Sequence, residues 1–275
     1  MSSKSLQVQQ NQIAFVASAF DAVAVGYDEA NAAPVVQRIR RFIYESIQQL
    51  VPKGSSILDL NCGTGIDARY LADAGYRVNG IDLSPKMISE AKRLTGSNGN
   101  LSFAIGSFER IGETTQEQFN LVLSNFGGFN CTKELKAVME EVSAHLLPGG
   151  YLVAVVMPPF SLWESLSYVV RGDFRNAFRR IHNEADATGF REHTFRVHYH
   201  SLSSFRRAAR KQFSVVRTFG LSVFSPTPQS IRFVSSYPRL TRFLQQVDSQ
   251  VQHLPILRGI GDHFAIILQK RPINN

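Results

Sequence analysis

The chain has 275 residues, of which 44% are hydrophobic and 19% charged, with a formal net charge of +8, a balance that excludes a disordered chain and allows a sizeable core. Two cysteines, Cys62 and Cys131, are too few for a disulfide framework and lack the Cys-x-x-Cys pairing of a metal site, so no metal is expected. No apolar run approaches the roughly 18 to 20 residues of a membrane span, and the Gln- and Ser-rich start has no signal-peptide pattern, so a cytoplasmic location is expected. The charge is unevenly placed: residues 1–159 carry 13 Lys/Arg against 15 Asp/Glu, and residues 160–275 carry 17 against 7.

Residues 13–50 are helical in pattern, with Pro34 opening a second helix whose Val35, Ile39, Phe42, Ile43 and Ile47 recur at helical spacing. From residue 55, short apolar runs alternate with helical patterns, the mark of an α/β fold with a mainly parallel sheet. Strands are expected at 56–60, 77–82, 101–105, 120–124 and 151–157. Ser84 and Pro85 open a helix through Met87, Ile88, Ala91 and Leu94. Thr132 is placed to cap another through Leu135, Val138, Met139, Val142 and Leu146, stopped by Pro148-Gly149-Gly150. Residues 158–189 read as a mostly helical insertion rich in Arg and Phe. Residues 194–200 alternate as a strand, with Phe195, Val197 and Tyr199 on one face and Arg196, His198 and His200 on a polar one. Ser201 or Ser203 then caps a helix through Leu202, Phe205 and Ala209, and 213–219 and 263–268 read as the last two strands. The expected architecture is a doubly wound, seven-stranded, mainly parallel sheet with N-terminal helices and an insertion after the fifth strand.

The stretch from Ser56 to Ala68 sets Gly63 and Gly65 in a turn between strand and helix, at the carboxyl edge where open α/β sheets bind ligands. Glycine permits positive φ and close approach, and the following helix offers free N–H groups and a positive dipole end. Asn61 is the non-glycine type that best tolerates the left-handed region. Gly63-x-Gly65-x-x-Ala68 also satisfies a dinucleotide fingerprint, with Asp82 near the offset of a ribose-binding acid, so an NAD-dependent oxidoreductase is one reading. A ligand-free tight turn is another. Asp59, ending the first strand beside the glycines, would repel a pyrophosphate and suit a cation.

Taken together, Ile57-Leu-Asp-Leu-Asn-Cys-Gly-Thr-Gly65 and Val78-Asn-Gly-Ile-Asp-Leu-Ser-Pro-Lys-Met87 resemble the first two motifs of class I S-adenosylmethionine-dependent methyltransferases. Phe119-Asn-Leu-Val122 resembles that family's fourth strand, and Leu146-Leu-Pro-Gly-Gly-Tyr-Leu152 its approach to the fifth. Phe20-Asp21 with Tyr27-Asp28 resembles the N-terminal element of its quinone-type and small-molecule members. The resemblance implies a Rossmann-like fold with covering helices over 1–50, a cofactor-binding core over 51–157, and over 158–275 an insertion or substrate lid plus the last strands. It implies S-adenosylmethionine as cofactor and methyl transfer to O, N or C of a small-molecule acceptor, yielding S-adenosylhomocysteine. Asp59, Asn61 and Gly63 would surround the methionine part, with Tyr27 closing on its carboxylate end. Asp82 would accept the ribose hydroxyls, with Leu83 and Met87 flanking the adenine. Ser107 and Phe108 stand at the adenine edge, where the family usually has an acid, and Asn125 is either beside the reacting centre or a turn residue before Gly127-Gly128. The departures at Asn61 and Ser107 keep open a non-catalytic, cofactor-binding regulator of the same fold.

Displacement at a sulfonium needs alignment above all, and a general base helps where the acceptor carries a proton. His200 and His198 are the candidates, with His193 a lesser one. For the basic C-terminal part three readings stand. The first is steering of an acidic acceptor by Arg171, Arg175, Arg179, Arg180, Arg191 and Arg196; the second is a solvated surface. The third, nucleic-acid or membrane-surface binding, has neither an RNA-stacking motif nor a separate basic tail behind it. Oligomeric state leaves no signature.

Overall fold

A computed structural model describes residues 3–187 and 194–272 of the chain, with side chains from residue 12 onward. The N-terminal helices are α1 (Ser3–Val23), α2 (Tyr27–Ala30) and α3 (Pro34–Leu50). The core then alternates β1 (Ser56–Leu60), α4 (Ile66–Asp73), β2 (Arg77–Asp82), α5 (Pro85–Thr95), β3 (Leu101–Ile105), β4 (Phe119–Ser124), α6 (Leu135–Ala144) and β5 (Leu146–Val156). After β5 come α7 (Leu162–Val170), α8 (Phe174–Ala177), the short strands β6 (Glu184–Asp186) and β7 (Arg196–His198), and α9 (Leu202–Ala209). Strand β8 (Phe213–Leu221), helices α10 (Ile231–Ser236) and α11 (Pro238–Val251), and β9 (His263–Lys270) complete it.

Seven strands form one sheet in the order β3-β2-β1-β4-β5-β9-β8; β6 and β7 pair separately. The first five are parallel neighbours, and β9 runs antiparallel between β5 and β8. Side chains alternate between two apolar layers. Leu58, Leu60, Val122, Leu152 and Ala154 pack with α6 and α9 on one face, and Ile57, Leu121, Leu123, Val153 and Val155 with α3 and α4 on the other. Covering both faces is what a parallel sheet requires, and it explains why these strands read as near-continuous apolar runs. The strand order reverses between β1 and β4, so a crevice opens beyond their carboxyl ends.

Three local expectations are corrected. Helix α6 starts at Leu135, because the Thr132 hydroxyl accepts from the backbone N–H of Glu134 at 3.1 Å in a tight turn instead of capping a helix. Leu146 and Pro148-Gly149-Gly150 belong to β5: Phe119 is in register with Leu146, its N–H bonds the His145 carbonyl at 2.9 Å, and an irregularity between Phe119 and Leu121 absorbs the misfit. The strand expected over 194–200 contracts to β7. Its pairing with β6 runs on through Tyr199 N–H to Asn183 O at 2.7 Å and ends there, since His200 N–H goes instead to Met157 O at 3.2 Å. The polar face expected there is only partial, since His200 is buried. Ser201 does cap α9, accepting from the Ser204 N–H at 3.1 Å. Among the described residues no helix is long and apolar enough to cross a membrane.

The insertion is fastened to the sheet by a buried arginine. Arg180 bonds Glu164 on α7 and, at 2.8 Å, Asp262 just before β9; its guanidinium carbon lies 5.3 Å from the centre of the Tyr199 ring. Burial pushes the Asp262 carboxyl up, but His263 and then Arg180 outweigh it and hold the group well below the usual carboxylate range. Removing one partner of such a knot strands the other charges in a dry setting. Arg180→Ala should therefore lower unfolding free energy by about 3–5 kcal/mol, read from the denaturant midpoint; a midpoint unchanged from the parent would show the knot to be dispensable.

Candidate active site

The turn after β1 is built from left-handed residues. Asn61 has φ 58°, Gly63 54° and Gly65 79°, so Asn61 takes the conformation its residue type tolerates. Gly65 is also sterically required, since a Cβ there would lie 2.6 Å from the Phe103 ring. Helix α4 begins at the next residue, its N-terminal N–H groups facing the crevice.

Asp82 ends β2 on the other side of the turn. One carboxylate oxygen accepts from Gly63 N–H at 2.9 Å and the other from Ser84 N–H at 2.9 Å. Burial pushes its pKa up to about 6 against these two hydrogen bonds. Asp59 is buried below the turn, and burial, followed by repulsion from Asp67, drives its carboxyl well above the ordinary range. Among the described residues its Oδ2 has no hydrogen-bond partner, and neither has the buried Oδ1 of Asn61. A Cβ on Gly128 would collide with that Asn61 oxygen, so the second glycine turn is shaped around it.

The neighbouring Asp67 is fully engaged. Its Oδ1 takes Arg40 and, at 2.6 Å, the Tyr44 hydroxyl; its Oδ2 takes the Asn125 amide at 3.1 Å. The Asn125 carbonyl oxygen in turn accepts from Phe126 N–H at 3.0 Å, so this side chain serves both the turn and the site. Arg40 is buried on α3, its guanidinium carbon 4.7 Å from the Phe126 ring centre. Sequence reasoning missed Arg40 and Asp67. The signal was an arginine in step with Val36, Ile43 and Ile47 on the buried face of α3.

The N-terminal helices grip the cofactor-side loops through two carboxylates. Asp21 accepts from the Ser84 hydroxyl and, at 3.0 Å, from Lys86 N–H, where α5 starts; Ser84 itself caps α5 through Met87 N–H at 3.0 Å. Asp28 bonds the Thr64 hydroxyl within the glycine turn and pairs with Arg69 at 2.6 Å. Between them Tyr27 leans over Gly63, and burial pushes its phenol up to about 12.

These elements surround a cavity bordered by Tyr27, Asn61, Gly63, Asp82, Leu83 and Asn125 together with Arg40 and Asp67. Both cysteines border it as well, their thiols pushed up by burial, Cys131 to about 12. Met87 is buried beneath Gly63. Ser107 and Phe108 border a second, larger cleft, which shares Val16, Leu83 and Cys131 with the first. His198 and His200 border the larger cleft too.

Residues 57–150 match the family model described as a methyltransferase domain. The chain is 34% identical over 128 residues to a dTDP-3-amino-3,6-dideoxy-alpha-D-glucopyranose N,N-dimethyltransferase of Streptomyces fradiae, covering 44% of this chain and 46% of that one. It is 32% identical over 170 residues to a demethylmenaquinone methyltransferase of Paenarthrobacter aurescens, covering 57% and 62%. The likeness to methyltransferases is carried by the stretch from β1 to the start of β5. The matched stretch thus spans about half to three fifths of the length of these two relatives. The fold extends further than the sequence likeness. The CcbJ methyltransferase of Streptomyces caelestis superposes with a TM-score of 0.61 at 14% identity over 92% of this chain and 98% of that one. A SAM-dependent methyltransferase from Methanosarcina mazei gives 0.55 at 20% identity over 83% and 98%.

The donor set fits S-adenosylmethionine: buried oxygens without donors among the described residues at Asp59 and Asn61 suit a cationic, hydrogen-bond-donating group, and each Asp82 oxygen keeps a lone pair for a hydroxyl. The two histidines differ. His200 Nε2 lies 2.9 Å from Thr132 O and 3.2 Å from Phe129 O, so it carries the proton and donates to a carbonyl. His198 is half-buried, with Nδ1 3.8 Å from Glu184. Burial lowers both pKa values, leaving neutral rings near pH 7. His193 and Arg191 lie outside the described residues. Of the other arginines named for steering, Arg179 and Arg180 are tied to Glu164, and Arg196 lies 3.4 Å from both Glu184 and Asp186.

If Asp28 holds α2 against the glycine turn, Asp28→Ala should speed amide hydrogen exchange over residues 27–31 severalfold while leaving the global unfolding midpoint nearly unchanged. Unaltered exchange in this segment would show that α2 is held by packing alone.

Proposed function

We propose that this chain transfers the methyl group of S-adenosylmethionine to a small-molecule acceptor at O, N or C, releasing S-adenosylhomocysteine. The observation that carries the reading is the buried Asn61 Oδ1, unpartnered among the described residues, at the same cavity as Asp82, with a second such acceptor, Asp59 Oδ2, at the end of β1 next to the turn. In this reading Asp59, Asn61 and Gly63 hold the methionine part, Asp82 the ribose hydroxyls, and Tyr27 the carboxylate end. Leu83 and Met87 flank the adenine, Ser107 and Phe108 stand at its edge, and Asn125 borders the reacting centre. When bound, the cofactor supplies an electrophilic methyl group on a sulfonium. The protein's contribution is alignment and exclusion of water.

The acceptor occupies the larger cleft, between the N-terminal helices and the insertion. Relatives named for an amino sugar nucleotide and for demethylmenaquinone support the broad class of small molecule. His198 is the base for an acceptor that carries a proton, because its ring borders the cleft and is neutral near pH 7. His200, which bonds main-chain carbonyls, holds β7 against the loop before α6.

Titration calorimetry tests the cofactor site. S-adenosylhomocysteine should bind and NADH should not; the reverse would assign the chain to nicotinamide chemistry. Asp59 and Asp82 are both raised in the free protein, and an ammonium beside one and hydroxyls on the other favour their ionised forms. Binding should therefore release protons near pH 6–7, seen as a buffer-dependent enthalpy, and affinity should fall as pH drops below about 6. Asp82→Ala should weaken binding by about 1.5–3 kcal/mol. Proton uptake, or unchanged affinity in that variant, contradicts the placement.

The histidines separate by readout. His198→Ala should lower turnover with cofactor affinity intact, whereas His200→Ala should lower stability by about 1–3 kcal/mol by orphaning buried carbonyls. Full turnover in His198→Ala would remove it as a base.

A further inference from the structure

In the C-terminal half, charge is sorted by partner in a way the sequence alone does not display. Over residues 161–182 and 230–262 there are four carboxylates: Glu164, Asp173, Asp248 and Asp262. Each is engaged. Glu164 pairs with Arg179 and Arg180, and Asp262 with Arg180 and His263. Asp173 caps α8 through Asn176, and Asp248 is buried and accepts from the Phe224 and Ser225 N–H groups at 2.8 and 3.1 Å. In contrast Arg171, Arg175, Arg232, Arg239 and Arg242 are exposed, and among the described residues none has a carboxylate at ion-pair distance.

The same helices expose large apolar side chains. Val170 is 79% exposed, Phe174 63%, Ile231 65% and Phe243 59%; Leu166 and Leu240 are exposed beside them in sequence, each four or three residues from a partner on its own helix. The two segments are one surface feature, because Trp163 on α7 packs edge-on against Phe233 on α10 at 4.9 Å and donates to Ser230 at 3.0 Å. They also stand at the carboxyl edge of the sheet. Helix α7 follows the end of β5; α10 and α11 follow the end of β8, which runs in the same direction as β5; and Leu162 N–H bonds Ile260 O at 2.9 Å.

We propose that the α7–α8 and α10–α11 surface docks peripherally on an anionic lipid bilayer. Exposed aliphatic and aromatic side chains interleaved with unpaired arginines, with three of the four carboxylates in ion pairs or buried and the fourth, Asp173, engaged in capping α8, match the two layers of such a membrane: headgroup phosphates for the guanidinium groups and acyl chains for the apolar tips. An acidic protein or a nucleic acid would use the arginines and leave Val170, Phe174, Ile231 and Phe243 in water; a second copy of this chain would set like charges against each other. The inference is independent of the methyl-transfer reading, since it needs no cofactor and no turnover.

Vesicle co-sedimentation of the full chain tests it. The protein should pellet with phosphatidylcholine–phosphatidylglycerol vesicles and far less with phosphatidylcholine alone. Each cation near an anionic leaflet is worth about fivefold in partition, so Arg239→Glu with Arg242→Glu should reduce it at least about twentyfold. Phe174→Ser with Phe243→Ser, which leaves the charge intact, should reduce it about tenfold. Circular dichroism and S-adenosylhomocysteine affinity should be those of the parent in both double variants, whose four sites are exposed. The proposal is overturned if anionic vesicles are not bound, if the Phe variants bind as well as the parent, or if sedimentation shows self-association through this face. Binding to RNA that rivals vesicle binding and ignores the Phe substitutions would assign the surface to a polyanion instead.

Discussion

Three carboxylates, Asp59, Asp67 and Asp82, share the carboxyl edge of the sheet where little water reaches them, and a buried charge without a partner is costly. Each is handled differently. Asp67 has Arg40 and two uncharged donors; Asp82 spreads its charge over two backbone N–H groups; Asp59 is left with an oxygen that none of the described residues satisfies. The conformation of the turn, the position of α3 and the left-handed Asn61 all follow from accommodating this arrangement. In the proposed reading, a methyl donor that arrives with its own positive charge meets a site already biased toward cations, and the strand-ending acids, more than the glycines, set the ligand class.

Much of this was legible because it is local. The strands β1 to β3, the Ser84 cap and the left-handed conformation of Asn61 follow from residues within a few positions of one another, and the two acids fall at strand ends by simple counting. What was not legible depends on partners far along the chain. Nothing near His200 announces that its ring bonds the carbonyls of Phe129 and Thr132, about seventy residues earlier, and the polar face drawn for 194–200 therefore overstated its exposure. The boundary between α6 and β5 was misplaced for the same reason: Pro148-Gly149-Gly150 looks like a helix stop until Phe119 is seen to recruit Leu146 into the sheet.

The arginines of the insertion make the point most directly. Arg171 and Arg180 are identical in type and nine positions apart, yet one is exposed without a carboxylate partner and the other is buried between Glu164 and Asp262. Counting charge over residues 160–275 treats them alike. Packing divides them into a group that fastens the insertion and a group that gives the outer surface its sign, and only the second remains for long-range electrostatics.

The sheet order carries a consequence for how the molecule assembles. Strand β8 has a single neighbour, β9, and β9 is the later of the two in the chain while lying between β8 and β5. A chain that has already formed β1 to β5 therefore presents β5 as a temporary open edge, and β8 has nothing to pair with until β9 arrives. The last pairing step links β5 to residues more than a hundred positions away, a high-separation closure that slows folding. During that interval β5, one of the most apolar strands, is the place where premature association with another chain would begin.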